Sequence, residues 1–306
     1  MDQIELAPHH KIGLPLRSPI ILAAGMIGYG DARPRALDFN ACGAWVTAPI
    51  GRQPCAAPAE DGAASLRRAE IPGGVVLAPP PYPSSVGHVL RRYAPAWPRL
   101  GLPAIAHLEA TARPASEEND RLIAIAQRLA STPGIAALEL APLIDVASLT
   151  ADVASTLVAQ IRHVSDLPLL VALPLVPAID HWAVACAEAG ADALVIGQPP
   201  LAAAPARQGA FVRGRLYGPA VAPLAWEALA RVAALKLDLP LVGAGGVNQI
   251  GDVLTYLHLG ATAVQIDTVI WVDPECLQRW QTTTQWKMLT ASAGGNPRTL
   301  TTGRQR

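Results

Sequence analysis

Short apolar runs alternate with amphipathic segments along nearly the whole chain, a pattern typical of parallel β-strands separated by helices. The runs contain few polar residues, as expected for strands that are covered on both faces. Three of them follow the dipeptide Leu-Pro, at Leu102, Leu167 and Leu239. The predicted strands lie near residues 20–23, 43–48, 104–108, 135–140, 169–173, 193–196, 239–242 and 263–266. The predicted helices lie near residues 33–39, 85–97, 117–129, 150–163, 179–189, 220–235, 248–258 and 274–286.

Eight strand–helix pairs predict a single-domain α/β protein with a (β/α)8 barrel, the TIM barrel. A doubly wound open sheet is the main alternative, but the early glycine-rich fingerprint of that fold is missing. We expect the barrel to span residues 1–290, with a proline-rich excursion at residues 49–83 and a second proline-rich loop after the sixth strand. Residues 291–306 are polar and are predicted to form a flexible C-terminal tail.

The strongest single pattern is the stretch of residues 239–268. A buried strand leads into the turn Gly243-Ala244-Gly245-Gly246, Asn248 is the predicted cap of the next helix, and a second buried strand ends at a short polar turn, Asp267-Thr268. In (β/α)8 barrels the loops after strands seven and eight commonly form a phosphate site. The sequence therefore predicts an anion-binding frame here.

Composition limits the classes of partner. The chain has 24 Lys and Arg against 24 Asp and Glu, so nothing indicates binding to nucleic acid or to an anionic membrane. The longest apolar stretch, residues 167–179, is interrupted by prolines and too short to span a bilayer, and no secretion signal precedes the first strand. The four cysteines lack metal-binding or redox spacing. These features predict a cytoplasmic protein with no nucleic-acid partner, membrane partner or metal.

Four stretches carry a family resemblance: SPIILAAGMIGYG at residues 18–30, GAWVT at 43–47, GRLYGPAVAPLA at 214–225, and residues 239–274 as a whole. Together they resemble the dihydroorotate dehydrogenase family, a set of FMN-binding barrels, over roughly residues 13–275. The resemblance implies a TIM barrel that oxidises dihydroorotate with FMN. The cofactor-binding positions that it implies are Ala24, Gly25, Gly218, Gly245, Gly246, Asp267 and Thr268.

The catalytic groups that the resemblance implies are largely replaced. Alanine stands at both lysine positions, Ala48 and Ala172, and residues 141–146 (APLIDV) replace the run that carries asparagines and cysteine. The other asparagine positions hold Leu77, Pro83, His107 and Gln198. Asp267 stands where the family has glycine, and a carboxylate about 4 Å from a phosphate charge costs on the order of 4 kcal/mol. The sequence thus predicts no catalytic residue for dihydroorotate oxidation and argues against FMN, the implied cofactor.

A group of polar residues remains at predicted strand ends. His107 and Glu109 have the same parity on the third strand, so both should face one side. We expect them at the barrel mouth in a polar patch: His107, Glu109, Gln198, Arg213 and Gln265, close to Asp267. The patch could be an acid–base pair or a weak metal site, or a hydrogen-bonded remnant of a lost active site. Glu139, on the fourth predicted strand, is expected to be a buried partner for an arginine, and Arg215 lies with Arg213 on the loop before the sixth helix.

These patterns support three hypotheses. The first is a degenerate family member that acts as a scaffold, partner subunit or regulator, either as a homodimer or with a paralogous dehydrogenase subunit. The second is an FMN-dependent oxidoreductase of the family with an altered substrate. The third is a non-flavin barrel enzyme that uses His107, Glu109 and Asp267.

Overall fold

The computed structural model describes residues 4–51, 68–78, 85–109, 115–141, 150–206 and 211–292. Its strands are β1 (Ile4–Glu5), β2 (Pro15–Leu16), β3 (Ile20–Leu22), β4 (Ala44–Val46), β5 (Arg68–Ile71), β6 (Gly74–Leu77), β7 (Ala104–Glu109), β8 (Ile135–Ala141), β9 (Leu169–Pro174), β10 (Ala193–Gln198), β11 (Leu201–Pro205), β12 (Phe211–Tyr217), β13 (Leu241–Gly243) and β14 (Ala263–Ile266). Its α-helices are α1 (Val86–Arg92), α2 (Ala115–Ala130), α3 (Ala151–Val164), α4 (Ile179–Glu188), α5 (Ala222–Ala234), α6 (Ile250–His258), α7 (Thr268–Val272), α8 (Cys276–Gln281) and α9 (Thr284–Ser292).

Eight parallel strands close into a barrel in the order β3, β4, β7, β8, β9, β10, β13, β14. The ring closes where Val264 of β14 pairs with Ile20 of β3. All eight strands match the runs expected from the apolar pattern, so the predicted single-domain (β/α)8 barrel is confirmed.

The first strand–helix pair departs from the expectation. The helix predicted near residues 33–39 is wrong, because the segment between β3 and β4 forms only a short 3₁₀ turn, Phe39–Ala41. Pro34 lacks a backbone N–H, and the side chain of Asp38 accepts a hydrogen bond from the backbone N–H of Asn40. Both features favour a capped turn over a continuous helix.

Two apolar clusters lie on opposite faces of the barrel strands. The outer cluster fills the space between strands and helices, whereas the inner cluster combines Ile, Leu and Val side chains with many alanines, such as Ala44, Ala137 and Ala263. The N-terminal hairpin β1–β2 contributes Leu14 and Leu16 to the inner cluster. The hairpin therefore closes the end of the barrel opposite the carboxyl ends of the strands, and the mouth lies at those carboxyl ends.

Both stretches expected to be proline-rich loops contain β-structure. Strands β5 and β6 lie within the predicted excursion, β11 and β12 follow β10, and the four form one antiparallel sheet in the order β11-β12-β6-β5. Alternate residues such as Val76 and Val212 build a small buried cluster on one face of this sheet. The remainder of the excursion, residues 52–67 and 79–83, lies outside the described residues.

Two further details differ from the expected pattern near the C-terminus. Helix α6 is capped by Gln249, not by Asn248. Gln249 and Asp252 form a capping box, and the Asp252 carboxylate accepts hydrogen bonds from the backbone N–H groups of Asn248 and Gln249. The single helix expected at residues 274–286 is divided into α8 and α9, of which α9 reaches Ser292, and the short helix α7 precedes it. The rest of the predicted tail, residues 293–306, is outside the described ranges. No helix within those ranges is both long and apolar enough to cross a membrane.

Candidate functional site at the barrel mouth

Three polar side chains meet inside the barrel near its mouth. His107 Nδ1 lies 2.8 Å from Glu139 Oε1, and Gln265 Nε2 donates a hydrogen bond to Glu139 Oε2. The residues belong to β7, β8 and β14, and only 6, 1 and 6% of their respective surfaces is exposed. Both oxygens of the buried Glu139 carboxylate are thus paired, as burial of a charge requires. We call this group the His107–Glu139–Gln265 network.

The sequence placed His107 and Gln265 at the mouth but did not identify the partner that joins them. Glu139 was expected to be a buried partner for an arginine, and the structure shows it bonded to His107 and Gln265 instead. The reason is the register of the sheet, which sets His107 directly opposite Glu139 on the neighbouring strand. Their similar position near the ends of consecutive predicted strands was a signal that could have indicated the pair.

The network changes the protonation of His107. Burial disfavours the imidazolium, but the hydrogen bond that His107 donates to Glu139 and the charges of Glu139 and Glu109 favour it and prevail, so the pKa of His107 is raised above its ordinary value. The Arg215 guanidinium opposes the rise. The backbone N–H of His107 also donates to Thr47 Oγ1 at 3.0 Å, which anchors β7 to β4 at this level.

The first half of the predicted phosphate frame is intact. Gly245 and Gly246 have φ angles of 89° and 75°, and a Cβ on Gly246 would lie 2.3 Å from the backbone nitrogen of Ala222. The Tyr256 hydroxyl donates a hydrogen bond of 2.7 Å to the carbonyl oxygen of Ala244 in the same turn. Within the described residues, the N–H groups of Gly245 and Gly246 donate to no protein acceptor. Binding of an anion by these two donors stays a prediction.

The second half of the frame differs from the expected short polar turn. Asp267 caps α7, and its carboxylate accepts a hydrogen bond from the backbone N–H of Thr268. Burial raises the pKa of Asp267, although the hydrogen bond from the backbone N–H of Thr268 opposes that rise. Thr268 Oγ1 is buried without a hydrogen-bond partner in the described structure. The Asp267 carboxylate therefore already accepts the hydrogen bond that the Thr268 N–H would donate to a phosphate.

The other predicted cofactor positions are glycine turns at the ends of β3 and β12. Gly25 follows Ala24 with a φ of 77°, and its N–H donates to the Thr47 carbonyl oxygen at 3.2 Å. Gly218 has a φ of 102°, and a Cβ there would lie 2.9 Å from Gly74 Cα. Close packing between two backbones thus explains Gly218 without a ligand.

The rest of the predicted polar patch is dispersed along the rim. Gln198, at the end of β10, is 8% exposed, and its Oε1 has no hydrogen-bond partner among the described residues. Arg213 is exposed on β12. Arg215, two residues further along, donates to the Pro199 carbonyl oxygen at 2.8 Å and acts electrostatically on His107. Arg215, which was not part of the predicted patch, is thus an arginine that influences the network.

Two neighbouring features complete the description of the mouth. The Tyr217 ring lies 5.8 Å from the Trp271 ring, and burial raises the pKa of Tyr217 to about 12. No group of three or more His, Cys, Asp or Glu within the described ranges could hold a metal ion. The described mouth thus combines the His107–Glu139–Gln265 network with a glycine turn at Gly245 and Gly246.

Comparisons with known proteins agree with this architecture. The family model "Dihydroorotate dehydrogenase" matches residues 143–283. The chain is 32% identical over 277 residues to the dihydroorotate dehydrogenase B (NAD(+)) catalytic subunit of Desulforudis audaxviator, with 86% of each chain covered. It is 31% identical over 286 residues to the subunit of the same name from Trichlorobacter lovleyi, covering 87% of this chain and 88% of that one. The protein therefore belongs to the dihydroorotate dehydrogenase family.

Proposed function

We propose that the protein is a family member that does not oxidise dihydroorotate and acts instead as a scaffold, partner subunit or regulator. The observation that carries the proposal is the His107–Glu139–Gln265 network, in which the polar groups facing the barrel interior bind one another. Because the Glu139 carboxylate already binds both His107 and Gln265, it is not free to orient a polar substrate.

The residues around the network support the same conclusion. Ala48 follows β4 and Ala172 lies within β9, at positions where the family resemblance implies lysines, and their side chains have no hydrogen-bonding atom. Residues 142–146, which replace the segment implied to carry the catalytic base, contain neither cysteine nor serine. Loss of a general base alone typically lowers a rate by about two to four orders of magnitude.

The described residues fit FMN at one end only. The unpaired N–H groups of Gly245 and Gly246 would hold its phosphate, whereas Asp267 takes the N–H of Thr268 and adds a carboxyl group beside it. FMN, when bound, accepts a hydride from the substrate. The described chain offers two alanines where that ring would need donors, so we derive no catalytic step from it.

A direct assay tests the proposal. The purified protein is mixed with dihydroorotate and a quinone or dye acceptor, in the presence of added FMN, and orotate formation is followed. The Desulforudis audaxviator relative serves as the positive control. We expect a rate at least about 100-fold below that control. A rate comparable with the control would refute the proposal.

The second candidate is an FMN-dependent oxidoreductase of the family with an altered substrate, favoured by the same unpaired N–H groups of Gly245 and Gly246. The visible spectrum of the freshly purified protein separates the two candidates. Under the main proposal the protein is colourless and added FMN does not raise its melting temperature. Bound flavin with no dihydroorotate oxidation would favour the second candidate.

The role as a partner is tested by assembly. The relatives are named catalytic subunits, which supports a complex between this chain and a paralogous dehydrogenase subunit as one form of the proposed function. Co-expression of the two chains, followed by size-exclusion chromatography with mass determination, distinguishes that complex from a homodimer. Two separately eluting monomers would count against both assemblies.

A further inference from the structure

Four large apolar side chains beside the barrel mouth are exposed to solvent. Val272 and Trp271, at the end of α7, are 87% and 46% exposed, and Phe211 on β12 and Leu201 on β11 are 69% and 50% exposed. Scattered single apolar residues are normal on a protein surface, but a contiguous group of them marks an interaction site. The meaning of these four residues thus depends on whether they adjoin one another.

The sheet register and one ring contact join these side chains into a single surface. Alternate residues of β12, from Phe211 to Tyr217, point to one face of the antiparallel sheet. Leu201 of β11 pairs with Arg215 and therefore lies on the same face. The Tyr217 ring is 5.8 Å from the Trp271 ring, which connects the sheet to α7. We call this surface the rim strip, and its members are Leu201, Phe211, Arg213, Arg215, Tyr217, Trp271 and Val272.

The residue types of the rim strip are those of protein–protein interfaces. Trp, Tyr, Phe and Arg are enriched at the centres of such interfaces, and the strip holds one Trp, one Tyr, one Phe and two Arg. β12 and α7 together give it a length of up to about 30 Å, at about 3.3 Å per strand residue and about 1.5 Å per helix residue. A contact that buries about 800 Å² on each partner has a similar diameter. The strip can therefore cross an ordinary dimer contact.

Opposite charges lie at the two ends of the rim strip. At the sheet end, the charged residues of β11 and β12 are Arg213 and Arg215, and Arg213 is exposed. Beyond α7 lie Asp273 and Glu275, of which Asp273 pairs with Arg279. Arg279 Nη1 is also 4.0 Å from Glu275 Oε2, so two carboxylates share one guanidinium, and the Glu275 side chain is 62% exposed. The sheet end is therefore basic and the helix end acidic.

This distribution of charge fits a second copy of the same chain. In a two-fold symmetric dimer both copies use the same patch. A two-fold axis lying across the strip sets the sheet end of one copy against the helix end of the other, so arginine meets carboxylate. An axis along the strip would set arginine against arginine, which opposes binding. The equal numbers of acidic and basic residues in the chain leave no net charge to drive two copies apart.

We propose that the rim strip is the contact surface of a homodimer in which the sheet end of each copy binds the helix end of the other. Val272 and Trp271 are buried between the copies, and Arg213 of one copy faces Glu275 of its partner. This inference rests on the assembly role in the proposed function, but the two ideas can fail separately. A dimer that oxidises dihydroorotate would refute the proposed function alone, and a monomer that does not oxidise it would overturn the homodimer alone.

Sedimentation equilibrium of the purified wild-type protein tests whether the dimer exists. We expect a mass of twice the 32.0 kDa of one chain at micromolar concentration. A single-chain mass at every concentration would overturn the proposal. Association that requires a co-expressed paralogous subunit would also overturn it, because the strip would then belong to a heteromer.

Val272→Glu tests the location of the contact. Because Val272 is 87% exposed in the single chain, the replacement leaves the fold intact, whereas in the dimer it buries an unpaired carboxylate from each copy. We expect the dissociation constant of the dimer to rise about 100-fold or more. Ile12→Glu, at a 57% exposed position between β1 and β2, is the matched control and should leave that constant unchanged. Equal dissociation constants for Val272→Glu and the wild type would contradict the proposed surface.

A charge exchange tests the arrangement of the two copies. Arg213→Glu and Glu275→Arg should each weaken dimerisation about tenfold, because each sets like charges against one another. The variant with both changes restores opposite charges across the contact, so its dissociation constant should return to within about threefold of the wild-type value. If the doubly changed protein dimerises as weakly as the single variants, the proposed pairing of sheet end with helix end is wrong.

Discussion

Replacing Glu139 by alanine is the sharpest test of the His107–Glu139–Gln265 network. The carboxylate is 1% exposed and bonds to both neighbours, so its removal leaves His107 Nδ1 and Gln265 Nε2 buried without an acceptor. Each orphaned group costs about 1–3 kcal/mol, and removal of one partner of a buried ion pair typically costs about 3–5 kcal/mol in all. We expect Glu139→Ala to lower the free energy of unfolding by about 3–5 kcal/mol.

Equilibrium unfolding in urea, followed by circular dichroism at pH 7, measures this loss. Glu188→Ala, which removes an exposed carboxylate from α4, is the matched control and should change stability by less than about 0.5 kcal/mol. Glu139→Gln keeps the shape and one acceptor and should fall between the two. A loss below about 1 kcal/mol for Glu139→Ala would show that the network does not exist as described.

Three further predictions follow from individual groups. The pKa of His107 is raised in the folded protein, so protonated His107 stabilises the fold. This stabilisation is complete below about pH 6.5, the pKa of an unperturbed histidine, and is lost as the pH rises through the folded-state pKa. His107→Gln should remove this pH dependence from the free energy of unfolding, measured in urea between pH 5 and pH 9. Burial also raises the pKa of Asp267 above its unfolded-state value of 3.8, so the ionised carboxylate destabilises the fold as the pH rises above 3.8. Asp267→Asn should therefore raise the melting temperature at pH 7. An unchanged melting temperature would contradict the burial of that charge. Gly246→Ala should lower the free energy of unfolding by more than about 1 kcal/mol, because the new Cβ would lie 2.3 Å from a backbone nitrogen. The control Gly251→Ala, on α6 with its nearest atom at 3.8 Å, should be neutral or stabilising in the same measurement.

The fold could be predicted from the sequence because the pattern of apolar residues is local and repeats along the chain. A buried parallel strand requires a short apolar run, and the helix that follows requires apolar residues at helical spacing. Eight repeats of this strand–helix pair indicate a closed barrel. Strand bounds such as Ile135–Ala141 and Ala263–Ile266 agree with the sequence pattern to within a residue. The weaker signals were less reliable, and the expected helix near residues 33–39 and the two proline-rich loops were wrong in part.

The sequence predicted only part of the candidate site. Parity along one strand correctly brought His107 to the barrel interior, and the glycine pattern correctly marked the turn at Gly245 and Gly246. Parity within a strand cannot say which residue lies opposite on the next strand, because that depends on register. Glu139 was therefore assigned the wrong partner.

The sequence by itself determined the architecture, the position of the mouth and the residue types available there, since these follow from local periodicity. Only the tertiary structure decided how those residues are paired. Register set His107 against Glu139, closure of the barrel brought Gln265 of β14 to the same carboxylate, and backbone geometry turned Asp267 onto the N–H of Thr268. Each of these contacts joins groups that are distant in sequence or depends on side-chain direction, and neither property is encoded in a local pattern.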